Sequence, residues 1–193
     1  MITTPPPLSA ALAAHPDFPA PAVTGIAVTA GPTRDGGLAL DYRLQGDLAA
    51  LRIASPATPL DPDRLWAHTC FEVFLARGDQ PAYREYNFSP SGQWAAYAFA
   101  DYRQRDGALA LPAPTLAWHR EADREAGVLA LRATLPATAL PQGEGPLRLA
   151  LTTVVERADG PLSYWALAHP AGKPDFHHRD GFALAVPLAL PDL

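Results

Sequence analysis

The chain has 193 residues, of which 48% are hydrophobic, so it is long and apolar enough to bury one sizeable core. A formal net charge of −5 argues against a nucleic-acid partner, because neutralising phosphates requires clustered cations. Cys70 is the only cysteine, which excludes an intramolecular disulfide and is typical of a small buried residue rather than a reactive thiol.

The first 21 residues are rich in proline, and we interpret them as a segment that precedes one domain over residues 22–193. Between its prolines, residues 8–15 have the length of about two helical turns, and we predict a short helix there. The segment lacks a positively charged start, and its apolar stretch is too short for a leader peptide or a membrane span. We therefore expect a cytoplasmic protein without a membrane partner.

The first predicted strands lie on either side of a glycine-rich turn. Residues 23–30 alternate weakly, residues 35–37 (Asp-Gly-Gly) supply the turn, and residues 38–44 alternate fully, as in a half-buried antiparallel strand. A short strand is predicted over residues 48–53. Three prolines then make residues 55–63 an irregular loop.

Three consecutive strands are predicted over residues 70–75, 83–88 and 94–99, and the rest of the chain is organised around them. In the first of these strands Phe71, Val73 and Leu75 form one apolar face, and Glu72 lies on the other. Polar and aromatic side chains come to lie side by side, an arrangement that fits a site for a small polar ligand.

Five further strands are predicted over residues 116–121, 128–135, 147–156, 162–168 and 182–188, with a single helical turn in residues 136–141. Short strands separated by turns, with no 3.6-residue apolar stripe, predict an all-β fold, an antiparallel sandwich or a barrel.

Tryptophans are the large rings available for stacking on a sugar, and a nearby carboxylate or amide accepts the hydrogens of hydroxyl groups. Trp66, Glu72, Asn87 and Trp165 form the main candidate set. Trp94 and His68 are added because they lie in or beside the same central strands. The alternative is that each tryptophan is part of the core.

The loop over residues 169–180 concentrates polar side chains between two prolines and the last strand. We predict that it forms one wall of a ligand slot near Trp66, and that any binding depends on pH between about 5 and 8, where imidazoles change charge. The alternative is a solvated connection. Its candidate residues are Lys173, Asp175, His177 and His178.

Metal and catalytic motifs are weak. His177 and His178 point to opposite faces if extended, and no zinc spacing completes a site; calcium at Asp175 or Asp180 stays open, although no dense acidic loop appears. The sequence has no Gly-x-Ser-x-Gly turn, His-Glu-x-x-His or phosphate loop. Glu72 and Glu85 are carboxylates whose separation the sequence does not give. We predict a non-catalytic protein without a bound metal or cofactor.

Four segments carry a resemblance to a known superfamily: Trp-Ala-His-Thr-Cys-Phe-Glu-Val-Phe-Leu from Trp66, residues 83–94, residues 164–170 and residues 174–178. They resemble a bacterial branch of the DOMON-like superfamily, which includes family 9 carbohydrate-binding modules and haem-binding DOMON cytochromes. The resemblance spans roughly residues 22 to 190. It implies an immunoglobulin-like or jelly-roll β-sandwich with a ligand slot.

In the carbohydrate modules two tryptophans sandwich a sugar and a glutamate lies nearby; Trp66, Glu72 and Trp165 stand at the similar positions. The resemblance thus implies a binding module for a small polar ligand, above all a saccharide. One alternative is a haem-binding electron-transfer domain, although methionine is commonly an axial ligand there and this chain has only Met1. The other is a protein-interaction domain that uses sheet edges or the proline-rich start. Candidate haem ligands are His68, His169, His177, His178 and Lys173.

Overall fold

The computed structural model describes residues 5–121 and 127–187. Its strands are β1 (Leu8–Ala14), β2 (Val23–Pro32), β3 (Leu38–Gly46), β4 (Cys70–Arg77), β5 (Tyr83–Phe88), β6 (Trp94–Asp101), β7 (Gln104–Arg105), β8 (Thr115–Glu121), β9 (Gly127–Leu135), β10 (Leu147–Glu156), β11 (Leu162–Ala166) and β12 (Leu184–Val186). Short 3-10 helices cover Leu48–Ala50, Pro62–Ala67, Ala137–Ala139 and Arg179–Gly181. None of the helices in these described ranges is long and apolar enough to cross a membrane.

The strands form two layers with antiparallel pairing throughout. Sheet I has the order β8-β9-β3-β2-β1, and sheet II has the order β7-β6-β5-β4-β10-β11, with β12 paired to the start of β10. Strand β1 joins the two sheets, since residues 8–12 pair with β2 and residues 13–14 pair with β11. The antiparallel β-sandwich predicted from the sequence is confirmed.

The main core lies between the sheets and follows the period of two that the sequence shows. On β3 the inward residues are Leu38, Leu40, Tyr42 and Leu44, all at most 1% exposed. They belong to the same cluster as the inward residues Phe71, Val73 and Leu75 of β4. Burying a side chain of this size contributes roughly 1.5–3 kcal/mol relative to leaving it exposed, so this cluster dominates the stability.

The second face of β4 is also buried, so neither face of this strand is exposed to solvent. A smaller apolar cluster covers the outer face of sheet II; its buried members are Phe74, Ala76, Tyr83, Phe99, Ala150 and Phe182. Phe176, from the long segment between β11 and β12, packs on this cluster. The segment over residues 167–183, here named the covering loop, therefore encloses part of the outer face.

Two local predictions are wrong. Residues 8–14 form strand β1 rather than a helix, because pairing with β2 and β11 outweighs the weak helical preference of so short a segment. Residues 48–50 form a 3-10 helix capped by the Asp47 side chain, and only Leu51 makes a single bridge, to Arg157. The helical turn predicted within residues 136–141 is confirmed at Ala137–Ala139.

The predicted last strand is shorter than expected. Strand β12 covers Leu184–Val186, where it pairs with β10, and residue 188 lies outside the described residues. The cysteine behaves as predicted for a small buried residue: Cys70 is fully buried, and burial raises the pKa of its thiol well above the usual value.

Candidate functional site

A cleft of about 620 Å³ opens on the outer face of sheet II, beneath the covering loop. This volume lies within the range of sites for small ligands. Strands β4, β5, β6, β7, β10 and β11 contribute its floor and sides. The residues that line it are Trp66, Glu72, Phe74, Glu85, Phe99, Arg103, Arg105, Val154, Tyr164, Pro174, Phe176 and His177.

Glu72 lies at the floor of the cleft and is 2% exposed. Its Oε2 accepts a hydrogen bond from Oγ1 of Thr152 at 3.3 Å, while Oε1 is buried without a hydrogen-bond partner among the described residues. Burial, followed by the charge of Glu85, raises the pKa of Glu72 well above its usual value. Leaving a buried polar atom unpaired costs about 1–3 kcal/mol, which marks Glu72 as a residue with a role besides stability.

Glu85 is the second buried carboxyl group of the cleft. It lies on β5 opposite Phe74, while Asn87 lies opposite Glu72, so the two glutamates are diagonal neighbours on one face. Its Oε1 accepts a hydrogen bond from Nδ2 of Asn87 at 2.6 Å. Burial raises the pKa of Glu85 to about 7, against the hydrogen bond from Asn87 and the charges of Arg105 and Arg103.

His177 is the covering loop's main contact with the cleft. The Tyr83 hydroxyl accepts from the N–H of Arg103, so its own proton is free for Nδ1 of His177, 2.8 Å away. Burial lowers the pKa of His177 to about 4. The pH dependence predicted for this residue is therefore wrong, since it is neutral from pH 5 to 8. Glu85, 3.9 Å from Nε2 of His177, titrates in that range instead.

Polar contacts hold the covering loop in place. Asp175 Oδ1 accepts from Nη2 of Arg103 at 2.8 Å, which anchors the loop to the turn between β6 and β7. His15 accepts the N–H of Asp17 at Nδ1, so its Nε2 carries the proton donated to the carbonyl of Gly172 at 2.9 Å. A loop tied down in this way is ordered before a ligand arrives, which lowers the entropic cost of binding.

Trp66 stands at the edge of the cleft with 48% of its surface exposed. The 3-10 helix Pro62–Ala67 carries it, and its Nε1 donates to the carbonyl of Asp63 at 3.2 Å. Nearby, the guanidinium of Arg105 lies 4.0 Å from the ring centre of Tyr97. A fixed and exposed indole beside buried carboxyl groups is suited to stacking on a ring-shaped ligand.

The structure places Trp94 and Trp165 on the opposite face of sheet II from Glu72. Trp165 pairs with Thr153 of β10, whereas Glu72 pairs with the preceding residue, Thr152. Because neighbouring residues of a strand point to opposite faces, the side chain of Trp165 points into the main core. It is 7% exposed, and its Nε1 donates to Oγ of Ser163 at 3.2 Å. Trp94 also packs against the main core. Neither ring lines the cleft.

Three other predicted site residues lie elsewhere. His68 Nδ1 bonds to Oε2 of Glu156 at 2.8 Å and does not line the cleft. Lys173 and His178 border a separate depression of about 470 Å³, together with Asp175. His178 is used locally, because its Nδ1 accepts the N–H of Asp180 at 3.3 Å. Of the predicted site residues, Trp66, Glu72 and His177 line the cleft. Asn87 and Asp175 do not line it, but Asn87 donates to Glu85 and Asp175 accepts from Arg103.

Several residues of the cleft were not among the predicted set. The sequence identified Glu85 only as a carboxylate at an unknown distance from Glu72. The register between β4 and β5 is needed to place the two side chains next to each other. Arg103 lies in the tight turn between β6 and β7 with a φ of +55°, and Arg105 lies on β7. Tyr164 and Phe176 lie in two of the segments that carry the resemblance, but neither was among the predicted site residues.

The candidate haem ligands are not gathered in the cleft. Of the four histidines considered, only His177 lines the cleft, and its Nδ1 is bonded to Tyr83. His169 Nε2 donates to the carbonyl of Ala13 at 2.9 Å. His68, Lys173 and His178 do not line the cleft, and Met1 lies outside the described residues. No group of three or more His, Cys, Asp or Glu side chains among residues 5–121 and 127–187 is arranged to hold a metal ion.

The chain is an antiparallel β-sandwich with a cleft on the outer face of sheet II, and comparison with known proteins agrees with the fold. The chain is similar to a crystal structure from Bacteroides uniformis ATCC 8492 of a proposed carbohydrate-binding protein, with a TM-score of 0.61 and 14% identity. The match covers 93% of this chain and 86% of the other. At this identity the likeness shows the fold alone. No protein-family model and no curated protein matches the sequence.

Proposed function

We propose that the protein is a non-catalytic binding module for a small saccharide, held in the cleft between the covering loop and sheet II. The observation that carries this proposal is the pair of buried carboxyl groups, Glu72 and Glu85, at the floor of a cleft with aromatic walls. Carboxyl groups accept paired hydroxyl hydrogens, and rings such as Trp66 cover the apolar face of a sugar. The DOMON-like resemblance and the described role of the structural neighbour support the same ligand class.

Binding is favoured over hydrolysis by the proton states of the two glutamates. A glycosidase requires one protonated carboxylic acid and one ionised carboxylate, so its site pushes the two pKa values apart. Here burial raises the pKa of both Glu72 and Glu85. Glu72 therefore favours its neutral form, and Glu85 is partly protonated near pH 7; a neutral carboxyl group suits hydrogen bonding to hydroxyl groups rather than nucleophilic attack.

The Trp66→Ala variant is expected to lose at least about tenfold in affinity for mono- and disaccharides, because one stacked ring contributes roughly 1.5 kcal/mol or more. Isothermal titration calorimetry of the wild type and the variant measures this. Leu109→Ala is the matched control, since Leu109 is 44% exposed and does not line the cleft. No saccharide binding by the wild type, or equal binding by Trp66→Ala, overturns the proposal.

A further inference from the structure

We propose that the saccharide carries an ammonium group and that Glu72 holds this group at the floor of the cleft. This inference rests on the proposed function and specifies its ligand. The first observation is Oε1 of Glu72, which is buried, belongs to a residue that lines the cleft, and has no hydrogen-bond partner among the described residues. A buried acceptor of this kind needs a donor, and an ammonium group supplies three.

The second observation is the charge around Glu72. The charge of Glu85 on β5 raises the pKa of Glu72. The charge of Glu72 in turn raises the pKa of three other groups: Cys70 on β4, Tyr164 on β11 and Tyr42 across the core. All of these are acidic groups. Within the described part of the chain, no cation is among the groups that shift the pKa of Glu72, so a cationic ligand supplies the missing opposite charge.

Two cations, Arg103 and Arg105, also line the cleft. Arg103 and Arg105 lower the pKa of Glu85, not of Glu72. Arg103 is paired with Asp175 at 2.8 Å, and Arg105 lies over the ring of Tyr97. Within the cleft, Glu72 therefore favours a positive group, whereas the arginines favour the hydroxyl oxygens of the same ligand.

The third observation is the wall around Glu72. Aromatic rings that line the cleft come from β4, β11 and the covering loop, namely Phe74, Tyr164 and Phe176. The faces of such rings attract cations, and the attraction is stronger where water is excluded. A buried carboxyl group with aromatic neighbours is a combination that suits an ammonium group better than a neutral hydroxyl.

The test compares three sugars by isothermal titration calorimetry: D-glucosamine, D-glucose and N-acetyl-D-glucosamine, of which only the first carries an ammonium group. We expect D-glucosamine to bind at least about tenfold more tightly than the other two, because a hydrogen bond to a charged group is worth roughly 1.5–3 kcal/mol. In Glu72→Gln, which keeps the shape without the charge, this preference for D-glucosamine over D-glucose is expected to disappear. Thermal unfolding checks that the variant is folded.

A second readout uses the wild type alone. Because Glu72 favours its protonated form in the free protein, seating an ammonium group against its carboxylate releases a proton to the solvent. Titration in two buffers of different ionisation enthalpy measures this proton. We expect release with D-glucosamine and none with D-glucose, together with an affinity for D-glucosamine that rises from pH 5 to 7.

The outcomes separate the two proposals. Equal binding of glucose and glucosamine overturns the ammonium inference and leaves saccharide binding standing. A preference for glucosamine that survives in Glu72→Gln, without proton release in the wild type, overturns the role of Glu72. Binding of ethanolamine without binding of any of the three sugars overturns the saccharide function itself.

Discussion

The Trp165→Ala variant is expected to lose about 3–5 kcal/mol of its free energy of unfolding, the usual cost of removing a buried tryptophan. Trp165 is 7% exposed and packs in the main core, so its removal leaves a cavity between the two sheets. Its Nε1 also donates to Oγ of Ser163, which loses this partner in the variant. Urea unfolding followed by fluorescence or circular dichroism gives the free energy.

Trp66→Ala is the matched comparison, because the same substitution is made at a ring that is 48% exposed. It is expected to cost less than about 1 kcal/mol of stability, as at most surface positions. The conservative Trp165→Phe variant is expected to bind saccharides as the wild type does. If Trp66→Ala destabilises as much as Trp165→Ala, the assignment of the two tryptophans to opposite faces of sheet II is wrong.

The two tryptophans also show what a sequence can predict. The alternation in residues 147–156 and 70–75 was sufficient to predict strands and the sandwich, because a period of two is a local property of the chain. It is not sufficient to tell which face of sheet II carries a ligand, since both faces of β4 are buried. Trp165 and Glu72 were therefore both placed in the predicted site, although they lie on opposite faces of sheet II.

The cleft depends on long-range contacts that no local pattern encodes. Glu72 and Glu85 meet only through the register of β4 with β5, and His177 reaches Tyr83 across 94 residues of the chain. The burial that neutralises His177 comes from the same contacts, which is why its pH dependence could not be predicted from an ordinary imidazole. Strand β1 was missed for a related reason, because its pairing with β11 joins distant parts of the chain.

The Glu85→Gln variant is expected to gain stability relative to the wild type as the pH rises from 4.5 to 8, by about 3 kcal/mol. The folded pKa of Glu85, about 7, lies above the ordinary 4.5, so the folded protein keeps a proton that the unfolded chain releases. The stability that this proton contributes is fully present below pH 4.5 and is lost as the pH rises to about 7. Glutamine does not ionise and escapes this loss.

In the wild type, His177 changes the free energy of unfolding with pH in the opposite direction to Glu85. The contribution of Glu85 therefore has to be measured by comparison with a variant. The folded pKa of His177, about 4, lies below the ordinary 6.5, so its contribution is present above pH 6.5 and is lost as the pH falls toward 4. The two slopes partly cancel between pH 4.5 and 6.5, but the difference between wild type and Glu85→Gln reports Glu85 together with its effect on the pKa of Glu72. Urea unfolding at pH 4.5, 6 and 8 measures it, with Glu144→Gln as the control at an exposed glutamate. A difference that stays constant with pH contradicts the burial of Glu85, and with it the neutral carboxyl pair on which the proposed site depends.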